Sequence, residues 1–307
     1  MRTELDHLPA AKQRELGRVV EILFEEFRDE TVLAEGKRKA GRILKIILFG
    51  SYARGEWVDE PHTAKGYQSD YDLLIIVNQK ELTDRATFWT NAEERLIRET
   101  TVTKALRTPV NFIVHTLQEV NQALAEGRFF FIDIARDGIA LYQSSGTELH
   151  KAKPKEPVDA LEMAEEYFSE WLPTAQDFFD GHTDALGRGK LKKAVFDLHQ
   201  ATERLYHTVL LTLTFYTPHN HNIAFLRSQA DKLDKRFVDV WPRDDRRDRA
   251  HFAKLKDAYV KARYSKHYTI SAEELAWLGE RVTELGSVVH TVCTERITEL
   301  KKMAGLG

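Results

Sequence analysis

Two aspartates separated by one residue, Asp70 and Asp72, stand at the head of the apolar run Leu73-Leu74-Ile75-Ile76-Val77. In a strand, residues i and i+2 share a face, so the two carboxylates would sit side by side. Carboxylates crowded in this way repel unless a cation neutralises them, and hard oxygen donors suit Mg²⁺. Earlier in the chain a second apolar run, Ile46-Ile47-Leu48-Phe49, stops at Gly50-Ser51 and continues as Tyr52-Ala53-Arg54-Gly55. Gly50 lets backbone pass close to a phosphate, and Ser51 offers a hydroxyl and an N–H at a helix start. A triphosphate on one side and a divalent metal on the other are the ingredients of nucleotidyl transfer. Gly-Ser alone, or Asp-x-Asp alone, is a common pattern. Their joint placement between two buried-strand patterns is far more specific.

On Gly50, Ser51, Arg54, Gly55, Asp70 and Asp72 the chain resembles the DNA polymerase beta-type nucleotidyltransferases, the minimal bacterial members above all. The resemblance implies transfer of a nucleoside monophosphate, with AMP from ATP as the expected case, to a hydroxyl of a protein, an RNA or a small molecule. It implies Mg²⁺ on Asp70 and Asp72. It also implies β- and γ-phosphates cradled by Ser51 and the Gly50 backbone, with Arg54 in support. Members competent in transfer usually carry a third carboxylate on a neighbouring strand. Here that strand is Val110-Asn111-Phe112-Ile113-Val114, and Asn111 stands in its place. An amide accepts no proton at neutral pH and binds cations more weakly than a carboxylate. His115, at the strand's end, is the alternative base. Transfer is therefore expected to be weak.

The elements that must hold these residues can be read on both sides of the motif. Leu16, Val19, Val20, Leu23 and Phe27 have helical spacing over residues 9–28. Leu44 to Phe49, Leu73 to Val77, Pro109 to Val114 and Ile139 to Tyr142 read as strands. Residues 83–106 read as one helix with Leu96 and Ile97 on its inner face, and Thr116 to Glu119 form a capping box. The stretch Glu56 to Ser69, with Pro61, His62, Lys65, Gly66 and Tyr67, reads as a functional loop at the mouth of the site.

Composition sets wider limits. Lys plus Arg number 45 and Asp plus Glu 48, giving −3, so the chain as a whole lacks the signature of a polyelectrolyte binder. No apolar run approaches the ~20 residues that span a bilayer, and Met1 to Asp6 has no signal-peptide core. The one cysteine, Cys293, leaves no internal disulfide and fits a reducing cytoplasm, where it is expected as a small apolar helix residue.

Near residue 150 the chain changes character. The expected organisation is a small mixed-sheet domain over 1–145, a linker over 146–157 with Pro154 and Pro157, and an all-α antiparallel bundle over 158–307, an α+β class overall. Ala194, Leu198, Ala201, Leu205, Val209 and Thr212 trace a stripe on one long helix, and Ser271 to Glu274 cap another. Glu203 to His207, Pro218 to Asn222 and Ala258 to Tyr268 make this half similar to HEPN domains, which occur fused to minimal nucleotidyltransferases. Many HEPN ribonucleases carry Arg, four to six residues, then His. Here three residues separate Arg263 from His267, which puts ribonuclease activity in doubt. The two are expected one helical turn apart at a helix end. The resemblance also makes Tyr268 the tyrosine beside that motif, the position modified in paired toxin–antitoxin systems.

Several alternatives remain at this level. One is an aminoglycoside-type antibiotic nucleotidyltransferase. Another is a regulatory nucleotide-binding module, with RNA, a partner or a second copy of the chain engaged through the HEPN half. His199, His207, His219 and His221 suggest zinc, but without cysteines they form a weak set. Arg236 to Arg249 interleave with aspartates and read as a solvated, self-compensating connection.

Overall fold

The computed structural model describes residues 1–32, 40–59, 68–218 and 221–307. Among these the chain divides into two compact units, one ending at Pro154 and one running from Lys155 to Gly307.

The first unit is built on four strands, β1 (Ile43–Phe49), β2 (Tyr71–Val77), β3 (Val110–Thr116) and β4 (Ile139–Gln143). Their order is β3-β2-β1-β4, with β1 antiparallel to β2 and β4, and β2 parallel to β3. β1 and β2, apolar but for Lys45 and Asp72, are buried along their whole length, as central strands covered on both faces must be. Helix α1 (Ala10–Val32) lays Leu16, Val19, Leu23 and Phe27 on one face of the sheet, against Ile46, Leu48, Tyr71, Leu73 and Ile75. By strand alternation Ile47, Phe49 and Asp72 look the other way. There Phe49 meets Phe130 of α6 (Phe129–Asp137) edge to face at 5.5 Å.

The long helix expected over 83–106 is broken. Asp84 ends a 3₁₀ turn and caps α3 (Arg85–Phe88) by accepting from the Ala86 N–H. Trp89 then leaves helical geometry at φ −128° and donates its indole N–H to the Leu82 carbonyl at 2.7 Å, before α4 (Thr90–Thr101) begins. A tryptophan that must bury both its ring and its N–H overrides helix propensity. Ile97, expected inside, is 54% exposed, while Leu96 is buried. The capping box at Thr116 and Glu119 starts α5 (Leu117–Ala125) with both reciprocal bonds present.

The second unit is helical: α7 (Pro157–Gly187), α8 (Leu191–Thr214), α9 (Ile223–Leu233), α10 (Arg236–Val240), α11 (Arg246–Tyr264) and α12 (Ala272–Met303). Pro157 opens α7 at its first position, where no intrahelical N–H is missed. The stripe on α8 is buried throughout and is the axis of the bundle core, and Cys293 of α12 lies in that core with its thiol pushed up to about 12 by burial. The segment 236–249 is more than a solvated connection. Phe237, Val240 and Trp241 are core residues, and Arg243 donates to the buried Asp231 at 2.6 Å. Among the described residues no helix is long and apolar enough to cross a membrane.

Candidate active site

Strand register brings the motif together. Phe49 on β1 pairs with Asp72 on β2, and Asp72 pairs with Asn111 on β3, so one row across the sheet joins the end of the Gly-Ser strand to both acidic and amide positions. Asp72 is fully buried and Asp70, one residue before the strand, is half-buried. Asn111 Nδ2 donates to Asp70 Oδ2 at 2.9 Å. The residue expected in place of the third carboxylate thus holds one of the other two.

Gly50 links the strand to the short helix α2 (Ser51–Arg54) at φ 75°, ψ −151°, a region essentially closed to residues with a Cβ. A Cβ built there would stand 2.7 Å from Asp72 Oδ2. The backbone therefore passes against a carboxylate where no side chain fits. Ser51 is buried, and its Oγ has no hydrogen-bond partner among the described residues. An orphaned buried hydroxyl is costly and calls for an explanation, such as a ligand. Arg54 pairs with Glu56, Nε to Oε2 at 2.8 Å.

These features fit a hard cation with a phosphate chain: two carboxylates at one strand head, a hydroxyl awaiting a partner, and bare backbone beside them. Among the described residues no group of three or more His, Cys, Asp or Glu is placed to hold a metal. The remaining ligands of an ion on Asp70 and Asp72 would then be substrate phosphates and water, the usual manner of Mg²⁺.

His115 does not join the site. It pairs with Ile76, four residues along β3 from Asn111, or ~13 Å at strand rise. Its ring packs edge to face on Phe131 at 5.4 Å, and its Nδ1 lies 3.5 Å from Glu119 Oε2. The hydrogen bond from His115, with a further one from Lys80, holds the Glu119 carboxyl well below the usual range. His115 thus belongs to the start of α5. Most of the loop expected over the site, residues 60–67 with Pro61, His62, Lys65, Gly66 and Tyr67, lies outside the described residues.

In the helical unit the Arg263 to Tyr268 segment does not continue as helix. α11 ends at Tyr264, and Ser265 is extended at φ −98°, ψ 121°. Arg263 turns back along α11, donating from Nε to the Tyr259 carbonyl at 2.6 Å, with its guanidinium 4.3 Å over the Tyr259 ring. His267 is exposed beyond the helix end, so the two are not stacked one turn apart. Tyr268 is buried and donates its hydroxyl to the Lys254 carbonyl at 2.8 Å.

Three of the four histidines read as a weak zinc set gather around Glu203 of α8, a carboxylate that the reading did not include. Glu203, 4% exposed, receives His221 Nδ1 at 3.0 Å and lies 3.6 Å from His207 Nε2 and 3.8 Å from His199 Nδ1. The fourfold spacing of His199, Glu203 and His207 was the available signal, because i and i+4 share a helix face. His219 lies outside the described residues.

Residues 30–129 match the family model of the nucleotidyltransferase domain, and residues 168–290 that of the HEPN domain. The chain is a nucleotidyltransferase domain joined to a HEPN domain. A Methanocaldococcus jannaschii protein that carries the name protein adenylyltransferase is 49% identical over 47 residues, which are 15% of this chain. The match spans 39% of that relative. Asp70, Asp72, Asn111, Gly50 and Ser51 all fall within the nucleotidyltransferase match, and Glu203, Arg263 and Tyr268 within the HEPN match.

Proposed function

We propose that the nucleotidyltransferase domain transfers a nucleoside monophosphate, AMP from ATP, to a hydroxyl group and releases pyrophosphate. The observation that carries this reading is Gly50 pressed against Asp72, beside the orphaned Ser51 hydroxyl. Bare backbone and an unpartnered hydroxyl beside two carboxylates suit phosphate oxygens that a cation would bridge to those carboxylates. The name of the archaeal relative supports a protein side chain as the acceptor.

The acceptor oxygen would bond to the α-phosphorus while the bond to the bridging oxygen breaks and pyrophosphate leaves. Asp70 and Asp72 would hold Mg²⁺, which when bound neutralises charge on the attacking and leaving oxygens. Ser51 Oγ would donate to a phosphate oxygen, which also supplies its missing partner. Asn111 keeps Asp70 oriented through its amide but takes no proton, so it is not the base for the acceptor hydroxyl, whose proton leaves to solvent or to a carboxylate.

That amide favours a second reading, in which the domain binds nucleotide with little turnover and regulates the HEPN half, as in a toxin–antitoxin or defence pair. Calorimetry and pyrophosphate release separate the two. Asp70→Asn with Asp72→Asn is expected to abolish Mg²⁺-dependent ATP binding. Undiminished binding in that double variant would sink both readings. Binding in the native chain without pyrophosphate release, whatever acceptor is offered, would leave the regulatory one.

A further inference from the structure

Strand β1 carries a single charged residue, Lys45, within Ile43-Leu44-Lys45-Ile46-Ile47-Leu48-Phe49. The strand is paired on both sides, so Lys45 sits in the middle of the sheet, and it is 4% exposed. An ammonium taken from water needs hydrogen bonds and a counter-charge. Lys45 Nζ donates to the neutral amide oxygen of Gln143 at 3.2 Å, and among the described residues no carboxylate lies within ion-pair distance of it. Burial pushes its pKa down against a weaker opposing pull from Glu148.

Lys45 and Gln143 open on a cavity of about 710 Å³, within the size range of small-molecule sites. Ser144, Ser145, His150 and Lys151 also line it, as do Arg136 and Glu148. Arg136 is already held by Asp133 at 3.0 Å and Asp137 at 2.7 Å. Lys45 and Lys151 therefore face an occupant, as does the amino group of Met1, which also lines the cavity, with two serine hydroxyls beside them. The cavity is distinct from the site at Asp72. Lys45 lies four residues along β1 from Phe49, the partner of Asp72, or ~13 Å.

We propose that this cavity binds a small phosphate-bearing anion, for which Lys45 is the buried counter-charge. Two lysines and two hydroxyls suit a compact group with several acceptor oxygens, and the hydrogen bond to Gln143 leaves the charge of Lys45 without an ion pair among the described residues. Such a lysine is tolerated in a central strand because the ligand, and not the fold, uses its charge.

The test titrates the full chain without Mg²⁺, so that the reading at Asp70 and Asp72 stands or falls separately. Inorganic phosphate, pyrophosphate and AMP are the phosphate probes, with citrate as the carboxylate probe. At least one phosphate probe is expected to bind by calorimetry and to raise the melting temperature, equally in the Asp70→Asn, Asp72→Asn variant. AMP alone binding identifies a nucleotide as the source, whereas inorganic phosphate or pyrophosphate binding identifies the free anion. Lys45→Met should weaken that binding about tenfold or more, as loss of a charge-assisted contact does. It should also raise the melting temperature of the ligand-free protein. Lys151→Ser, at an exposed position, should weaken binding without changing the ligand-free melt. Citrate binding in place of phosphate, no binding by any probe, or undiminished binding in both lysine variants overturns the proposal. So does a Lys45→Met variant that folds less stably without ligand, since the lysine would then serve the fold.

Discussion

Asn111 donates its amide to Asp70 Oδ2 at 2.9 Å, and it stands directly opposite Asp72 in the parallel pairing of β2 and β3. The amide thus substitutes a hydrogen bond for a charge. It holds Asp70 in place without metal, and it adds no acid to the pair. Asn111→Asp reverses both effects. Without Mg²⁺ a third carboxylate would repel Asp70, and the variant should melt at lower temperature than the native chain. With Mg²⁺ the difference should shrink or invert, because the added acid is a ligand. If a missing base or metal ligand limits turnover, pyrophosphate release should rise, since such groups are worth ~10²–10⁴-fold. Differential scanning with and without Mg²⁺, followed by a pyrophosphate assay, checks each arm.

Gly50→Ala should damage the site and the fold together. The φ of 75° is strained for alanine at ~1–3 kcal/mol, and the new methyl would collide with the Asp72 carboxylate. Gly55→Ala is the matched control, for Gly55 also has positive φ (78°), yet among the described residues its Cβ would meet only His7 at 3.8 Å. Both variants should lose stability in urea melts. Gly50→Ala alone should lose Mg²⁺-dependent ATP binding by calorimetry.

Much of this could be read from the chain because burial writes itself as pattern. The strands at 43–49 and 71–77 are apolar runs broken only by Lys45 and Asp72, and the two acids stand at the head of the second run, where a hydrophobic strand has no use for them. The α8 stripe and both capping boxes were legible for the same reason, being local. What was not legible depends on partners distant in sequence. Trp89 breaks the helix over 83–106 because its N–H finds the Leu82 carbonyl, and no periodicity records that. His115 is drawn to Glu119 and Phe131 by the start of α5, and strand position alone could not separate that from catalysis. The environment of Glu203 needs His221 to arrive from a loop. The burial of Lys45 follows from strand pairing on both sides of β1, which the sequence does not record.

Tyr268 donates its hydroxyl to the Lys254 carbonyl and is buried, so it is a structural residue of the α11–α12 connection. Tyr268→Phe should cost about 0.5–1.5 kcal/mol, the net worth of such a bond. After incubation with ATP and Mg²⁺, peptide mass spectrometry should find no AMP on Tyr268. A stoichiometric adduct there would mean that the segment opens far more readily than its packing implies.

His199 is the clearest source of pH dependence. It is wholly buried on α8 beside Glu203, His221 and Tyr259, and neither ring nitrogen has a hydrogen-bond partner among the described residues. Burial lowers its pKa from 6.5 to about 4, with Glu203 opposing. The sign follows from which state binds the proton. Between pH 6.5 and about 4 the unfolded chain is protonated at this residue and the folded chain is not, so stability falls as pH falls through that window. The slope is at most ~1.4 kcal/mol per pH unit, and above pH 6.5 the group contributes none. His182, also depressed chiefly by burial, acts in the same direction. Urea melts at pH 7, 6 and 5 should therefore show a falling midpoint in the native chain and a flatter dependence in His199→Leu. An unchanged slope in that variant would assign the acid sensitivity to His182 or to the carboxylates instead.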